Sequence, residues 1–419
     1  MLAEILSTGD EVRSGAVVDT NAAAIAEALE SNGIHVSRHT CVGDDVSAIA
    51  DALQEIAKRA DMAVITGGLG PTADDVTAEA AARAAGVDLA EVPEALAQVE
   101  RFFQSKGLAM SAANRKQALL PLGVTVLENR DGSAPGFCMS LGACCMYFLP
   151  GVPREMKPML VRHVLNDLDQ QRGNGSVAHR VDVVTTFGLP ESVVGEKLKG
   201  LSLLDKRVQI GLRVLFPEIH VRIYGHGDRR YRLDEQMQQV KQSIRERLGK
   251  RVLSADGASL PEVLGTMLLE RGATLALAES CTGGLMAKQL TDVPGSSGFF
   301  LLSAVTYANA AKMAVLSVAS ETLHHFGAVH EATAREMAEG ARRAAESDYA
   351  LSTTGIAGPD GGTDEKPVGT VCIGLAAPEG TTAFRYIFPF GDREMNRRIF
   401  AAMAFDRLRL YLMESLAMR

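Results

Sequence analysis

Glu279-Ser280-Cys281-Thr282-Gly283-Gly284 stands between an apolar stretch ending at Ala278 and an amphipathic stretch beginning at Leu285. That order reads as strand, tight turn and helix N-terminus, where free backbone N–H groups and the helix dipole hold an anion or stabilise a developing oxyanion. A hydroxyl there is placed for attack, which makes Ser280 the natural nucleophile candidate. The plainer alternative is that Ser280 and Thr282 only cap the helix. Cys281 competes as nucleophile and equally as a small buried packing residue.

Three further polar clusters each end a strand: Tyr307-Ala308-Asn309 with Lys312, Thr353 to Gly358 leading into Gly361-Gly362-Thr363, and Gly391-Asp392-Arg393 before the last helix. In α/β sheets ligands bind outside the carboxyl ends of strands, so these loops are expected to converge on one crevice. A buried lysine of lowered pKa deprotonates a serine, a tyrosine relays or stabilises charge, and an arginine grips a phosphate with two bonds. Taken singly, Lys312 reads as a solvated surface residue, Tyr307 as a core aromatic with a wet tip and Arg393 as a helix-start charge.

A second glycine turn, Gly67-Gly68-Leu69-Gly70-Pro71-Thr72, again follows an apolar strand and is followed by Asp74-Asp75. Glycines before a helix suit phosphate, whereas two adjacent carboxylates repel it unless a divalent cation lies between them. A metal-bound pyrophosphate is therefore the self-consistent ligand, against the alternative that first-turn acids simply pair with the helix dipole. Asp10-Glu11 and Asp44-Asp45 end neighbouring strands and favour the metal reading, with Asp44, Asp74 and Asp75 as its ligands.

The elements that must position these groups follow from periodicity. From residue 1 to about 170, short apolar runs alternate with amphipathic stretches, the pattern of a parallel α/β sheet. Strands are expected at Leu2 to Leu6, Ile34 to Cys41 and Met62 to Thr66, and helices at Asn21 to Ser31, from Asp45 to about Arg59, from near Asp74, and from Val152 to Asp169. Gln171 to Ser176 reads as a linker. A small α+β domain follows at 176–254, with a hairpin turning at Phe216-Pro217. It has no GxxG loop and no aromatic stacking pair, so a spacer or dimerisation role outweighs RNA binding. Ser259 with Glu262 is a capping box that opens a third domain, 258–419, where strands and helices again alternate. The expected fold is thus α/β in three domains, 1–170, 176–254 and 258–419.

The chain of 419 residues carries 43 basic and 51 acidic residues, a net charge of −8, with 5% aromatics and no Trp. Binding to nucleic acid or to an anionic membrane is not expected from that balance. Six scattered cysteines make neither a disulfide framework nor a zinc site, and the N-terminus lacks a basic then apolar leader, so a soluble, cytoplasmic, reduced protein is expected.

The stretches ESCTGG, VPGSS, TYANAAK, TGIAGPDGGTDEKPVGTV and FGDR, in this order over about 150 residues, resemble the C-terminal domain of the CinA family, the nicotinamide mononucleotide deamidases. GDEVRSG, DTN, GGLGPTADD, NRKQALLP, SAPGF and LPGVPREM resemble the amino-terminal domain of the same family, itself similar to the molybdopterin-binding fold. The first resemblance implies metal-free hydrolysis of the nicotinamide mononucleotide carboxamide to nicotinate mononucleotide and ammonia. Ser280, Tyr307 and Lys312 would be its catalytic residues, and Thr282, Gly283, Gly284, Ser296, Asn309, Thr354, Gly355, Gly358, Gly362 and Arg393 its substrate contacts. Ala308 stands where the family usually has Ser, so that hydroxyl has no role here. The second implies a metal-dependent ADP-ribose pyrophosphatase using a divalent ion (Mg, Mn or Co), with Gly67, Gly68, Gly70, Thr72, Asn114 and Lys116 at the nucleotide, while Gln117 could contact phosphates or the base. Arg130-Asp131 departs from the family pattern. A homodimer is expected. A pterin- or nucleotide-binding module without turnover is the alternative for residues 1–170, and an adaptor for DNA uptake ranks last.

Overall fold

Strands whose residues are nearly all buried cannot face water on either side, so β1 (Leu2–Thr8) and, beyond the edge strand β2 (His35–Val42), β3 (Met62–Thr66) belong inside a sheet covered on both faces. The computed structural model, which describes residues 1–172, 178–201, 208–227, 230–388 and 390–417, bears this out. The short strands β4 (Leu89–Glu91) and β5 (Leu119–Pro121) pair as a separate ribbon. β6 (Thr125–Leu127), β7 (Gly136–Leu141) and β8 (Cys144–Leu149) complete a six-stranded sheet of order β2-β1-β3-β8-β7-β6. One face packs on the helices Val46–Ala57 and Thr77–Ala85 through Ile49, Leu53, Ile56 and Ala80. The other packs on Thr20–Ser31 and the helical stretch after Pro153 through Ile25, Leu29, Met156 and Val164.

The sheet is mixed, not parallel throughout. β1, β2, β3 and β8 run parallel, while β7 runs antiparallel to both β8 and β6. Gly142, at φ 62°, allows the two-residue reversal between β7 and β8 that a parallel crossover would exclude. The helix expected from Asp74 begins three residues later, at Thr77. Asp75 Oδ2 accepts from Thr72 N at 2.8 Å, closing a turn before the helix starts. The expected helix Val152 to Asp169 is interrupted by a π-helical stretch, Leu160–Leu165, just after Pro158, whose missing N–H removes a rung of the hydrogen-bond ladder. The last helical segment extends to Arg172, so the linker expected at 171–176 falls partly on helix, and 173–177 lie outside the described residues.

The chain divides into two compact units, Met1–Val181 with Gly225–Leu233 and Asp182–Tyr224 with Asp234–Arg419. The second unit takes in most of the small α+β segment. Its four strands, β9 (Ala178–Phe187), β10 (Val208–Leu215), β11 (Glu218–Gly227) and β12 (Val252–Ser254), are ordered β10-β11-β9-β12. Leu260 N donates to Glu218 Oε1 at 2.8 Å and Arg409 Nη2 to Lys250 O at 2.8 Å, which ties the segment to the sheet region that follows.

That region holds β13 (Leu275–Glu279), β14 (Phe300–Val305), β15 (Tyr349–Gly355), β16 (Thr370–Ala377) and β17 (Gly380–Ile387) in the order β14-β13-β15-β16-β17. β13 is parallel to both its neighbours, and β16 and β17 are antiparallel, so the carboxyl ends of β13, β14 and β15 lie on one side. The capping box at Ser259 and Glu262 and the left-handed Gly272 bound the helix Leu260–Arg271, as the sequence predicts. The helices Asn309–Leu316 and Ser320–Phe326, which carry weak amphipathic patterns, escaped that reading.

The helix Glu331–Ala345 presses closely on its neighbours at two points. A methyl on Gly340 would stand 2.0 Å from the Leu316 carbonyl oxygen, and one on Gly374 of β16 would stand 2.3 Å from that of Ala334. The first contact seats the helix that carries Lys312. Gly340→Ala must push that helix away, and we expect a loss of about 1–3 kcal/mol, the usual range for overpacking, measured as a lowered unfolding midpoint in denaturant.

Candidate active sites

At the carboxyl end of β13 the chain leaves Glu279 and turns through Ser280 to Gly284, with φ 58° at Gly283 and 88° at Gly284, before the helix Leu285–Thr291. Both angles lie in the left-handed region that glycine enters at little cost. The Glu279 carboxylate is wholly buried and folds back over the turn. Its Oε2 accepts from Gly284 N at 2.9 Å and Met286 N at 3.1 Å, and its Oε1 from Ala287 N at 2.9 Å and Ser303 Oγ at 3.1 Å. The expectation that these helix N–H groups are free for an anion is thus corrected, because the protein's own carboxylate occupies them.

Ser280 is nine-tenths buried, and its Oγ lies 3.0 Å from Lys312 Nζ. Lys312 is fully buried, contrary to the surface reading of this residue taken alone. Its Nζ also donates to Thr306 O at 2.7 Å and Tyr307 O at 3.3 Å. Burial without a carboxylate partner lowers the Lys312 pKa from the ordinary lysine value, because charging an amine is costly where water cannot solvate it. Beside it, burial pushes the Cys281 thiol up to about 12. A thiol so protected is a poor nucleophile near neutrality, which favours Ser280 over Cys281.

The structure distributes the other named residues unevenly. Tyr307 is 64% exposed, the reverse of a core aromatic. Its hydroxyl accepts from Arg393 Nη2 at 3.2 Å, so its part in holding Lys312 runs through the backbone carbonyl. Arg393 Nη1 donates to Gly358 O at 2.6 Å. Thr282 is buried against the Thr353 hydroxyl at 2.8 Å, and Thr354 is buried with its hydroxyl on Ala328 O at 2.7 Å. Gly355 packs so closely that a methyl would stand 2.5 Å from Thr370 O. Asn309 opens the helix that bears Lys312 and is exposed, as is the Gly362 loop. Ser296 lies in the 3₁₀ turn that precedes β14, hence at the opposite end of the sheet from Ser280, and does not line this site.

The sequence reading passed over Glu279 and over two residues of the last helix. Asn396 Nδ2 donates to Ala357 O at 3.0 Å and Phe390 O at 2.8 Å, and Arg397 Nη2 donates to Thr282 O at 2.7 Å. Positions 393, 396 and 397 share one helix face by their i, i+3, i+4 spacing, which was the available signal.

In the first unit a cleft of about 510 Å³ opens at the carboxyl ends of β1 and β3. Its lining includes Thr8, Glu11, Asn21, Asp44, Gln117 and Glu155, with Gly67, Gly68, Gly70, Asp74 and Asp75. A methyl on Gly67 would stand 2.3 Å from Thr8 O, so the glycine is required by backbone approach. Partial burial raises the Asp44 pKa, as do the charges of Asp10, Glu11 and Asp74, against the Asp10 N–H that it accepts at 2.9 Å. Asp75 accepts from both the Thr72 amide and hydroxyl. Among the described residues no group of three or more His, Cys, Asp or Glu side chains is placed to hold a metal ion.

Three residues named for the nucleotide do not line the cleft. Thr72 is engaged by Asp75, Asn114 Oδ1 accepts from Ser111 N at 3.1 Å in a capping box, and Lys116 Nζ braces the Thr72 carbonyl. Among the described residues no helix is long and apolar enough to cross a membrane.

Comparison with known proteins agrees with this architecture. Residues 257–412 match the family model described as the CinA C-terminal domain, 4–170 the probable molybdopterin binding domain, and 182–253 the damage-inducible protein CinA KH domain. A CinA-like protein of Desulfosudis oleivorans is 46% identical over 413 residues, covering 99% of this chain and 100% of its own. The chain belongs to the CinA family. A CinA-like protein of Geobacter metallireducens is 44% identical over 413 residues, covering 99% and 100%. Among solved structures, the protein CinA with unknown function from Thermoplasma acidophilum is 35% identical, covers 39% of this chain and 96% of that one, and has a TM-score of 0.37. This CinA-family protein is thus a mixed α/β chain with a molybdopterin-binding-like N-terminal domain.

Glu279→Gln replaces one acceptor oxygen by an NH₂ group facing backbone N–H donors. We expect a loss of about 1–3 kcal/mol, the cost of leaving buried donors unpaired, read as a lowered thermal midpoint of the protein with Ser280 and Lys312 intact.

Proposed function

We propose that the C-terminal site hydrolyses the carboxamide of nicotinamide mononucleotide to nicotinate mononucleotide and ammonia. The observation that carries this reading is the buried Lys312 amine 3.0 Å from Ser280 Oγ, with two carbonyls as its other partners. When neutral, the amine donates its two hydrogens to the carbonyls of Thr306 and Tyr307 and turns its lone pair to the serine hydroxyl. Lys312 takes that proton as Ser280 Oγ attacks the amide carbon, and returns it to the departing ammonia. Water, deprotonated by the same amine, then cleaves the ester and regenerates Ser280. Because Glu279 occupies the amides of Gly284, Met286 and Ala287, the oxyanion falls to donors earlier in the turn, of which Cys281 N–H directly follows the nucleophile. Arg393, Arg397 and Arg398 line a neighbouring groove, beside Asp392, Glu394 and a Lys288–Asp292 ion pair, and would be the cationic groups for the nucleotide's phosphate.

For the N-terminal domain we propose cleavage of a pyrophosphate such as ADP-ribose in the 510 Å³ cleft. Asp44 and Asp74 fit a divalent cation that is completed by substrate phosphate oxygens, as Mg²⁺ sites with one or two carboxylates are. When bound, that ion would neutralise phosphate charge and polarise the scissile bond. The second reading, a pterin- or nucleotide-binding module without turnover, is favoured by Asp75 being engaged by Thr72 and by the missing ready-made ligand triad among the described residues.

Ser280→Ala is expected to lower ammonia release from nicotinamide mononucleotide by about 10⁴-fold or more with folding unchanged. Lys312→Met is expected to cost about 10²–10⁴-fold, the range of acid–base catalysis. Since only the neutral amine accepts the proton, the wild-type rate rises with pH through the lowered Lys312 pKa and levels off, with a midpoint below the ordinary lysine value of 10.5. An ammonia assay across pH checks both, and an unchanged rate in Lys312→Met would refute the base assignment.

In the full chain, excess EDTA should stop AMP formation from ADP-ribose and leave deamidation untouched. Asp44→Asn should reproduce the first effect. Chromatography of products from each substrate, with and without chelator, reads the outcome. AMP formation that survives both treatments would remove the cation from this site.

A further inference from the structure

Cys138 on β7 and Cys145 on β8 face the same side of the N-terminal sheet. In the antiparallel register Cys138 stands opposite Tyr147 and Cys145 opposite Ser140, so the two cysteines are diagonal neighbours across the strands. Their sulfurs are 3.5 Å apart, in van der Waals contact. Both are partly exposed, unlike the adjacent Cys144, which is buried on the opposite face. Tyr147, whose hydroxyl lies 3.4 Å from Asp167 Oδ2, occupies the same face. The sequence analysis expects reduced cysteines and gives Cys138 and Cys145 no role, and neither proposed activity uses this pair.

We propose that Cys138 and Cys145 form a reversible redox site, in which a hydroperoxide converts the two thiols to an intrachain disulfide. The Cys145 thiolate attacks the peroxide oxygen. The O–O bond breaks, giving Cys145 sulfenic acid and, for hydrogen peroxide, hydroxide that is protonated to water. Cys138 then loses its proton and attacks the Cys145 sulfur. The S–S bond forms, the S–O bond breaks and a second water leaves. Two thiols are oxidised by two electrons and one peroxide is reduced to two waters.

Three features support this. The sulfurs need to approach by only about 1.5 Å to reach the length of a disulfide, about 2.0 Å. The hydrogen bond between the two thiols lowers the Cys145 pKa, against burial and the charge of Asp167, and raises that of Cys138. Cys145 is therefore the attacking group and Cys138 the resolving one. Both thiols are partly exposed, so a small oxidant has access to the pair.

The test uses the full-length protein, treated with a small excess of hydrogen peroxide, alkylated and digested without reductant. Residues 131–154 form one tryptic peptide containing Cys138, Cys144 and Cys145. We expect this peptide to lose two hydrogens, to stay joined after further cleavage at Leu141, and to separate after dithiothreitol. Cys144→Ser should keep the link, and Cys138→Ser and Cys145→Ser should each abolish it. The link should form at least about tenfold faster than in protein unfolded by guanidinium. The proposal is overturned if peroxide oxidises the exposed Cys41 while Cys138 and Cys145 remain alkylatable. It is equally overturned if the link joins Cys144, or if Cys145 proceeds to sulfinic acid without a bond to Cys138. Should a variant fail to fold, the wild-type map decides, with the alkyl group placed on Cys144 or Cys145 by fragmentation of the peptide.

Discussion

The ε-amine of Lys312 is fully buried, and among the described residues no carboxylate lies within ion-pair distance of it. An isolated ammonium in such a place is costly, and the cost is met by lowering its proton affinity. The rest of the C-terminal sheet region supports that placement. The Thr306 and Tyr307 carbonyls come from the end of β14, the serine from the turn after β13, and the helix bearing the lysine is seated by the close approach of Gly340 to Leu316. Moving any one of these supports leaves the amine either unpaired or hydrated.

The two candidate sites share a plan and differ in what fills it. Each stands where a strand ends in a glycine turn and a helix begins, the position at which α/β sheets hold ligands. In the C-terminal region the helix amides are already bonded to Glu279, so the turn is rigid and the available chemistry is that of a hydroxyl and an amine. In the N-terminal unit the corresponding acid, Asp75, closes a turn ahead of its helix, while Asp44 and Asp74 stay on the cleft wall. An internal carboxylate therefore organises both turns. Asp44 and Asp74 on the N-terminal cleft wall are the groups that the proposed cation would use.

The final helix, Arg393–Ala417, shows how distant segments are brought to one place. Through Arg393, Asn396 and Arg397 it reaches the carbonyls of Gly358 and Ala357, in the loop after β15, and of Thr282, in the turn after β13. The donors share a helix face by their spacing, but the acceptors carry no pattern along the chain, because they are backbone atoms present at every residue.

The alternation of apolar strands and amphipathic helices, the capping box at Ser259 and Glu262, and the glycine turns at Gly67 and Gly283 were legible from residue order, since they depend on neighbours within a few positions. The family resemblance was legible for the same reason, as runs of adjacent residues. Burial was not. Taken singly, Lys312 reads as a surface lysine and Tyr307 as a core aromatic, yet the first is inside and the second outside, because exposure is set by helices far along the chain. The antiparallel turn at Gly142 and the place of Ser296 at the far end of the sheet depend on strand direction, which local pattern does not encode. The capture of three helix amides by Glu279 was likewise hidden, because a side chain that caps from the preceding strand has no fixed spacing to announce it. Local chemistry therefore determined which residues were candidates. Only the tertiary fold decided which of them meet, because meeting depends on long-range packing that residue order leaves open.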